Sequence, residues 1–209
     1  MRNKVELLGY YGGDESHALS AWTSTSRDLD ADKRKRMDKL LFMLAREGHH
    51  TPFEKSSLHF LVSTDIASHI HIIKHRVGVS VNAESARYKE LQEDKYFIPE
   101  DFPISWREKL ASHTEDGLKL YHQCINSLTE NYGFDRKRAK ESARFFRSYN
   151  TQITADVMFN FRSFSHFLGL RNKPNAQKEI REIAQQMLDL VKNIEGNPFK
   201  LSLEGFDLL

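Results

Sequence analysis

Apolar positions recur along this chain with two different periods. Residues 3–9 (NKVELLG) read as a short strand that ends at Gly9 and the Gly12-Gly13 pair. Residues 15–26 allow a helix. Over 31–47, Met37, Leu40, Leu41 and Leu44 recur every three or four residues. With Asp30 or Asp32 as N-cap and Gly48 as stop, this spacing predicts a helix. Residues 57–63 (SLHFLVS) alternate and read as a strand. Asp65 then caps a predicted helix to about His75, with Ile66, Ile70 and Ile73 as its buried stripe and His71, Lys74 and His75 on another face. Residues 77–87 read as irregular and 88–97 as an extended ribbon before Pro99. Helices are expected over 104–132 and 135–149, extended chain over 151–162, a short helix at 163–170 and another over 175–194, stopped by Gly196. Helices dominate, with three or four strands among them, so the class is α+β. No Pro-, Gly- or Ser-rich linker divides the chain, and a single domain over 1–209 is expected.

Composition narrows this reading. The 209 residues are 39% hydrophobic and include 14 Phe, 7 Tyr and 2 Trp, enough apolar surface to exclude disorder as the main state. Thirty-one Lys plus Arg against 29 Asp plus Glu give a net charge of +2, which argues against a whole-chain grip on nucleic acid. The basic run Lys33-Arg34-Lys35-Arg36 is interleaved with acids and reads as a solvated face. No apolar run is long enough for a membrane span, and the opening MRNKVELLGYYGG has no apolar signal core. A soluble, cytoplasmic protein with no nucleic-acid or membrane partner is expected.

Candidate chemistry is concentrated in a few places. Cys124 is the single cysteine, which excludes an internal disulfide; it lies beside the seam Leu118, Tyr121, Ile125 and Leu128, where nothing would stabilise a thiolate. No Gly-x-Ser-x-Gly elbow, Walker loop or Gly-x-Gly-x-x-Gly turn occurs. His71 and His75 have the i, i+4 spacing of metal ligands, but Ile72 stands where a metalloprotease has Glu, and Lys74 and Arg76 oppose a cation, so no metal site is expected. Those cations favour an anion. The stretch 74–90 (KHRVGVSVNAESARYKE) combines Lys74, His75, Arg76, Ser85 and Arg87 with Asn82 and Glu84. It offers forked donors for oxyanions and amide or carboxylate groups for ring edges, although a solvated charged loop has the same composition. Two further segments add to it: GHHTPFEK, where Thr51, Pro52 and Glu54 form a capping-box signature, and FNFRSFSHFLGLR, which threads Asn160, Arg162, His166 and Arg171 through aromatics. Physics alone reaches an anion- and aromatic-binding site built from several cationic groups.

Taken together, the three segments resemble the flavin-dependent thymidylate synthases (ThyX). That family carries Arg-His-Arg, seven residues and Ser, commonly continuing as Asn-Glu-x-Ser-x-Arg-Tyr. Here Lys74-His75-Arg76 and Asn82-Ala83-Glu84-Ser85-Ala86-Arg87-Tyr88 occupy that stretch. His-x-Thr-Pro-Phe-Glu appears as His49 to Glu54. The distal Asn-x-Arg-Ser, Leu-Arg and Ala-Gln-x-Glu-Ile groups appear as Asn160 to Ser163, Leu170-Arg171 and Ala176 to Ile180. The resemblance implies helices packed on a small, largely antiparallel sheet. It also implies reductive methylation of dUMP to dTMP, with FAD as cofactor, NADPH as reductant and methylenetetrahydrofolate as one-carbon co-substrate. A homotetramer with active sites shared between subunits is implied too. By the same likeness Ser24, Thr51, Lys74, His75, Arg76, Asn160, Arg162 and His166 match flavin-contacting positions. His71, Lys74, Glu84, Ser85, Ala86, Arg87, Arg144 and Arg171 match positions around dUMP, and Arg171 matches the arginine that polarises the pyrimidine.

The pattern departs from the family in places. Lys74 replaces an arginine and loses its planar fork, eight residues rather than seven separate Arg76 from Ser85, and Ala83 stands where a Glu is usual. These departures keep open a relative acting on another pyrimidine nucleotide. A non-catalytic nucleic-acid-binding module using the basic runs at 33–36 and 136–140 is the reading from a different class.

Overall fold

The computed structural model of the chain describes residues 3–85 and 95–209. Strands β1 (Lys4–Tyr11), β2 (Ser57–Asp65), β3 (Val79–Ala83) and β4 (Gln152–Phe159) form an antiparallel sheet in the order β1-β2-β4-β3. Along β2 the alternation seen in the sequence becomes two faces: Leu58, Phe60, Val62 and Thr64 are buried and the residues between them are partly exposed. The helices are α1 (Asp14–Trp22), α2 (Ala31–Arg34), α3 (Met37–Arg46), α4 (Ile66–Ile73), α5 (Ile104–Glu130), α6 (Arg136–Ala143), α7 (Phe161–Arg171), α8 (Lys178–Lys192) and α9 (Lys200–Gly205). Short 3-10 turns occupy Thr51–Glu54 and Arg144–Phe146. The α+β class, with its small antiparallel sheet, is the one expected.

Four local expectations are corrected. The helix expected over 31–47 divides into α2 and α3. Lys33 turns inward, donating to the Ser26 carbonyl and hydroxyl at 2.7 Å each and pairing with Asp28, and the chain restarts at Met37 to bury Leu41 and Leu44. Arg34 pairs with Glu15 and Lys35 with Asp32, so most of the basic run is engaged within the chain. In α4 the buried side chains are Ser68, His69 and Ile72, whereas Ile73 is exposed. Asp65 caps the helix through the Ser68 N–H and hydroxyl, both at 2.8 Å, which draws the Ser68 face inward. The stretch read as irregular contains β3, because Val79 and Val81 alternate with small polar residues and pair with β4. The helix expected to run to 149 ends at Ala143, and the short α9 had no sequence signal.

The chain packs as two compact units. The first takes in the described residues of Met1–Asn3, Ser63–Ile70 and Ala83–Ala155. Its core joins α5 to α6 through buried Tyr121, Ile125, Ala139 and Ala143, with Cys124 and Leu128 packed against them. A Cβ at Gly117 would stand 2.5 Å from the Phe146 carbonyl oxygen, so the absence of a side chain lets α5 approach the following 3-10 turn. The second unit comprises Lys4–Val62, His71–Asn82 and Asp156–Leu209. Aromatic packing dominates it: Phe161 stacks on Phe199 at 5.6 Å and 5°, with Phe53, Phe60, Phe159, Phe164 and Phe167 also fully buried. Each such ring contributes about 1.5–3 kcal/mol through burial. Among the described residues no helix is long and apolar enough to cross a membrane.

Candidate active site

The end of α4 and the start of α7 are tied together by backbone chemistry. After Ile73 the chain passes through Lys74-His75-Arg76, and the His75 N–H closes a turn on the Ile72 carbonyl at 3.0 Å. Gly78 then adopts φ +64, a region costly for any residue with a Cβ. Its carbonyl accepts from the Asn160 N–H at 2.9 Å, and the Ser163 hydroxyl donates to the Val77 carbonyl at 2.6 Å. Asn160 caps α7, its side-chain oxygen accepting from the Ser163 N–H at 2.8 Å. This clamp sets residues 74–76 beside the start of α7, the helix whose Arg162, His166 and Arg171 reach the same cleft.

The result is a cleft of about 640 Å³ lined by Lys74, His75, Arg76, Arg162, His166 and Arg171. All of these residues belong to the second unit. His50, Ser163, Ser165, Leu170 and Phe206 also line it and were not singled out from the sequence. His50 lies within the His49 to Glu54 motif; Phe206 lies so far along the chain that no local pattern joins it to the rest. The lining holds four cationic side chains and, among the described residues, no carboxylate. Arg162 pairs with Glu54, which therefore does not close the capping box its position suggested. The Ser163 and Ser165 hydroxyls donate to the Val77 and Arg162 carbonyls, so both are engaged by the backbone.

One hydrogen bond defines the electrostatics. Arg171 Nε donates to His75 Nε2 at 3.1 Å, which requires that nitrogen to carry a lone pair and assigns the proton of the neutral ring to Nδ1. Burial, followed by the charge of Arg171 and then His166 and His71, holds His75 down to about 4. His75 is thus a neutral acceptor across the physiological range. Its ring also packs edge-on to Phe167 at 5.0 Å and to His166 at 6.0 Å.

The remaining candidates sit elsewhere. Ser24 is exposed in the turn after α1, its hydroxyl donating to the Ala21 carbonyl at 3.1 Å, and Thr51 is exposed at the start of its 3-10 turn. His71 is half-buried one turn before His75, outside the lining. Glu84, Ser85 and Arg144 belong to the first unit. There the Glu84 carboxylate accepts from the Thr154 N–H at 3.0 Å, while Arg144 is exposed with its guanidinium 5.8 Å from the Phe145 ring. Ala86 and Arg87 lie outside the described residues.

A model of the family described as thymidylate synthase complementing protein matches residues 6–195. A flavin-dependent thymidylate synthase from Pseudothermotoga lettingae is 30% identical over 92% of this chain and 86% of its own. The chain belongs to the flavin-dependent thymidylate synthase family. A family member from Clostridium tetani is likewise 30% identical, over 95% of this chain and 86% of its own. A solved UMP/dUMP methylase, PolB from Streptomyces cacaoi bound with 5-Br dUMP, shares the fold with a TM-score of 0.81 and 24% identity, over 98% of this chain and 94% of that one.

In this member of the family the Gly78 clamp makes a direct prediction. A Cβ at Gly78 would fall 2.2 Å from Asn160 Nδ2 and 2.5 Å from Ser163 Oγ, in a conformation that L residues avoid. Gly78→Ala is expected to cost about 2–4 kcal/mol of stability. Urea unfolding measures it, and an unchanged midpoint overturns the clamp.

Proposed function

We propose that this protein methylates dUMP to dTMP, using FAD reduced by NADPH and methylenetetrahydrofolate as the one-carbon donor. The observation that carries the reading is the gathering of the 74–76 and 160–171 segments into one cationic cleft, within a chain matched to the family over 6–195. The donor set suits an anionic dinucleotide. Lys74, Arg76 and Arg162 would hold its phosphates, Arg76 and Arg162 through planar forks and Lys74 as a point charge. His50, His75 and His166 would supply ring surface for its flat parts. When bound, the reduced flavin supplies the hydride that completes the methyl group.

The chain's own residues would do the rest. Arg171, fixed through Nε to His75, would present its terminal nitrogens to the carbonyl edge of the pyrimidine. There it would stabilise negative charge as the ring becomes nucleophilic at the carbon that gains the methyl group and loses a proton. Ser85, Ala86, Arg87 and Arg144 are proposed around the nucleotide on the strength of the family motif, with Glu84 supplying the carboxylate absent at Ala83. We read residues 1–209 as one functional domain, supported by a family match unbroken from 6 to 195. A cytoplasmic homotetramer with shared sites completes the proposal; light scattering giving a single-chain mass overturns the assembly.

The test is the visible spectrum of the purified protein, followed by anaerobic NADPH with and without dUMP. A yellow protein that bleaches, responds to dUMP and makes dTMP when methylenetetrahydrofolate is added supports the reading. A colourless protein that takes up no FAD and ignores dUMP overturns it. Running UMP and dCMP beside dUMP tests whether Lys74 and the longer loop have shifted the pyrimidine accepted. Cys124 packs on the Tyr121–Ile125 cluster, so no thiol attack is expected. Cys124→Ser should keep turnover within about twofold of the parent, and complete loss in a folded protein would reinstate thiol chemistry.

A further inference from the structure

The family match stops at residue 195, yet the cleft is lined by Phe206. The segment that carries this ring is fixed at both ends. Phe199, just before α9, is buried against Phe161. The Asp14 carboxylate then accepts from the Leu201 N–H at 2.8 Å, the Ser202 N–H at 2.9 Å and the Ser202 hydroxyl at 2.5 Å, capping α9 from another helix. At the far end, a Cβ on Gly205 would stand 3.3 Å from both Ala45 Cβ and Phe42 Cδ1, so α9 lies directly against α3. Phe206 follows immediately. Its ring packs on His50 at 4.9 Å, on Phe53 at 4.9 Å and 87°, and on Phe161 at 5.8 Å. Phe53 and Phe161 are fully buried, whereas Phe206 keeps part of its surface at the cleft.

Four cations accept any polyanion and so discriminate little. A partly exposed apolar ring among them adds a second preference, because an apolar part of the ligand removes it from water and a flat one stacks on it over the largest area. We propose that Phe206, carried by α9, is a binding residue on which a planar heteroaromatic ring of the phosphorylated ligand stacks. The proposal rests on the reading of the cleft as an FAD site. FAD contains two such rings, the flavin and the adenine, and fragments separate them.

The experiment titrates the parent protein, Phe206→Leu and Phe206→Tyr with FAD, FMN and ADP, following flavin fluorescence and the visible band, with thermal unfolding run in parallel. Leucine keeps apolar volume and loses the flat face; tyrosine keeps the face. Phe206→Leu should weaken FAD by roughly tenfold or more and relax the shift of the flavin band, while Phe206→Tyr stays near the parent. Parallel weakening of FMN places the flavin ring on Phe206, and of ADP the adenine. Equal FAD affinity in the parent and Phe206→Leu overturns the proposal. So does equal weakening in both variants alongside a lowered unfolding temperature, which marks a packing role alone. A parent that binds none of the three probes overturns the FAD reading itself, a different result from either of these.

Discussion

Replacing Arg171 with Ala is expected to lower the turnover of dUMP by roughly 10²–10³-fold, the scale of losing one fixed donor to developing negative charge. Arg171 ends α7, where a cation is favoured by the helix dipole, and it is half-buried. Its Nε is committed to His75 Nε2, which fixes the plane of the guanidinium and leaves the terminal nitrogens to be aimed. That arrangement holds only while His75 is neutral. Burial and the neighbouring charges secure this by holding its pKa at about 4. Arg171→Lys keeps the charge but has neither Nε nor a fork, so it should recover only a small part of the lost rate. FAD affinity should change much less, because Lys74, Arg76 and Arg162 remain. A second readout separates this pairing from general damage. Arg171 is one cause of the lowered His75 pKa, so in Arg171→Ala the NMR titration of His75 should move upward from about 4. Unchanged turnover removes Arg171 from the reaction, and an unmoved titration removes the pairing.

The parts of the fold legible in the sequence were those set by local period. β2 alternates from Ser57 to Thr64, and α8 carries Ile180, Ile183, Ala184, Met187, Leu188 and Val191 on one buried face. Where a side chain found a partner far along the chain, pattern failed. Lys33 reads as part of a solvated run, yet it is buried on Ser26 and Asp28. Glu54 reads as a helix cap, yet it pairs with Arg162, and the Asp14 that caps α9 carries no signal of that job. The same division runs through the site. Lys74, His75, Arg76, Arg162, His166 and Arg171 were identifiable because two short motifs hold them, and the Gly78–Asn160 clamp brings those motifs together. Phe206 and the His75–Arg171 bond are products of packing, which residue types alone do not encode.

The stability of the fold should fall steeply with acid because of His17. Its ring is fully buried among Phe53, Phe161 and Phe199, with Nδ1 at 2.8 Å from the Ser202 hydroxyl and Nε2 at 2.7 Å from that of Ser56. Burial pushes its pKa from 6.5 down to about 3. Between those values the unfolded chain binds a proton that the folded state refuses. Stability is therefore full above about 6.5 and is lost as pH falls toward 3. The shift corresponds to about 4–5 kcal/mol at the acid limit. His75 acts in the same direction over the narrower window down to about 4. Asp14 opposes both: burial, against the Ser202 and Leu201 hydrogen bonds, raises its pKa, so the folded state takes up that proton before the unfolded chain does. His17→Gln tests the assignment, because an amide keeps a hydrogen bond but does not titrate. Urea unfolding from neutral pH down to about 4 should show the parent losing stability faster than His17→Gln, even though the variant starts lower at neutral pH. Parallel curves would mean that the acid sensitivity lies elsewhere.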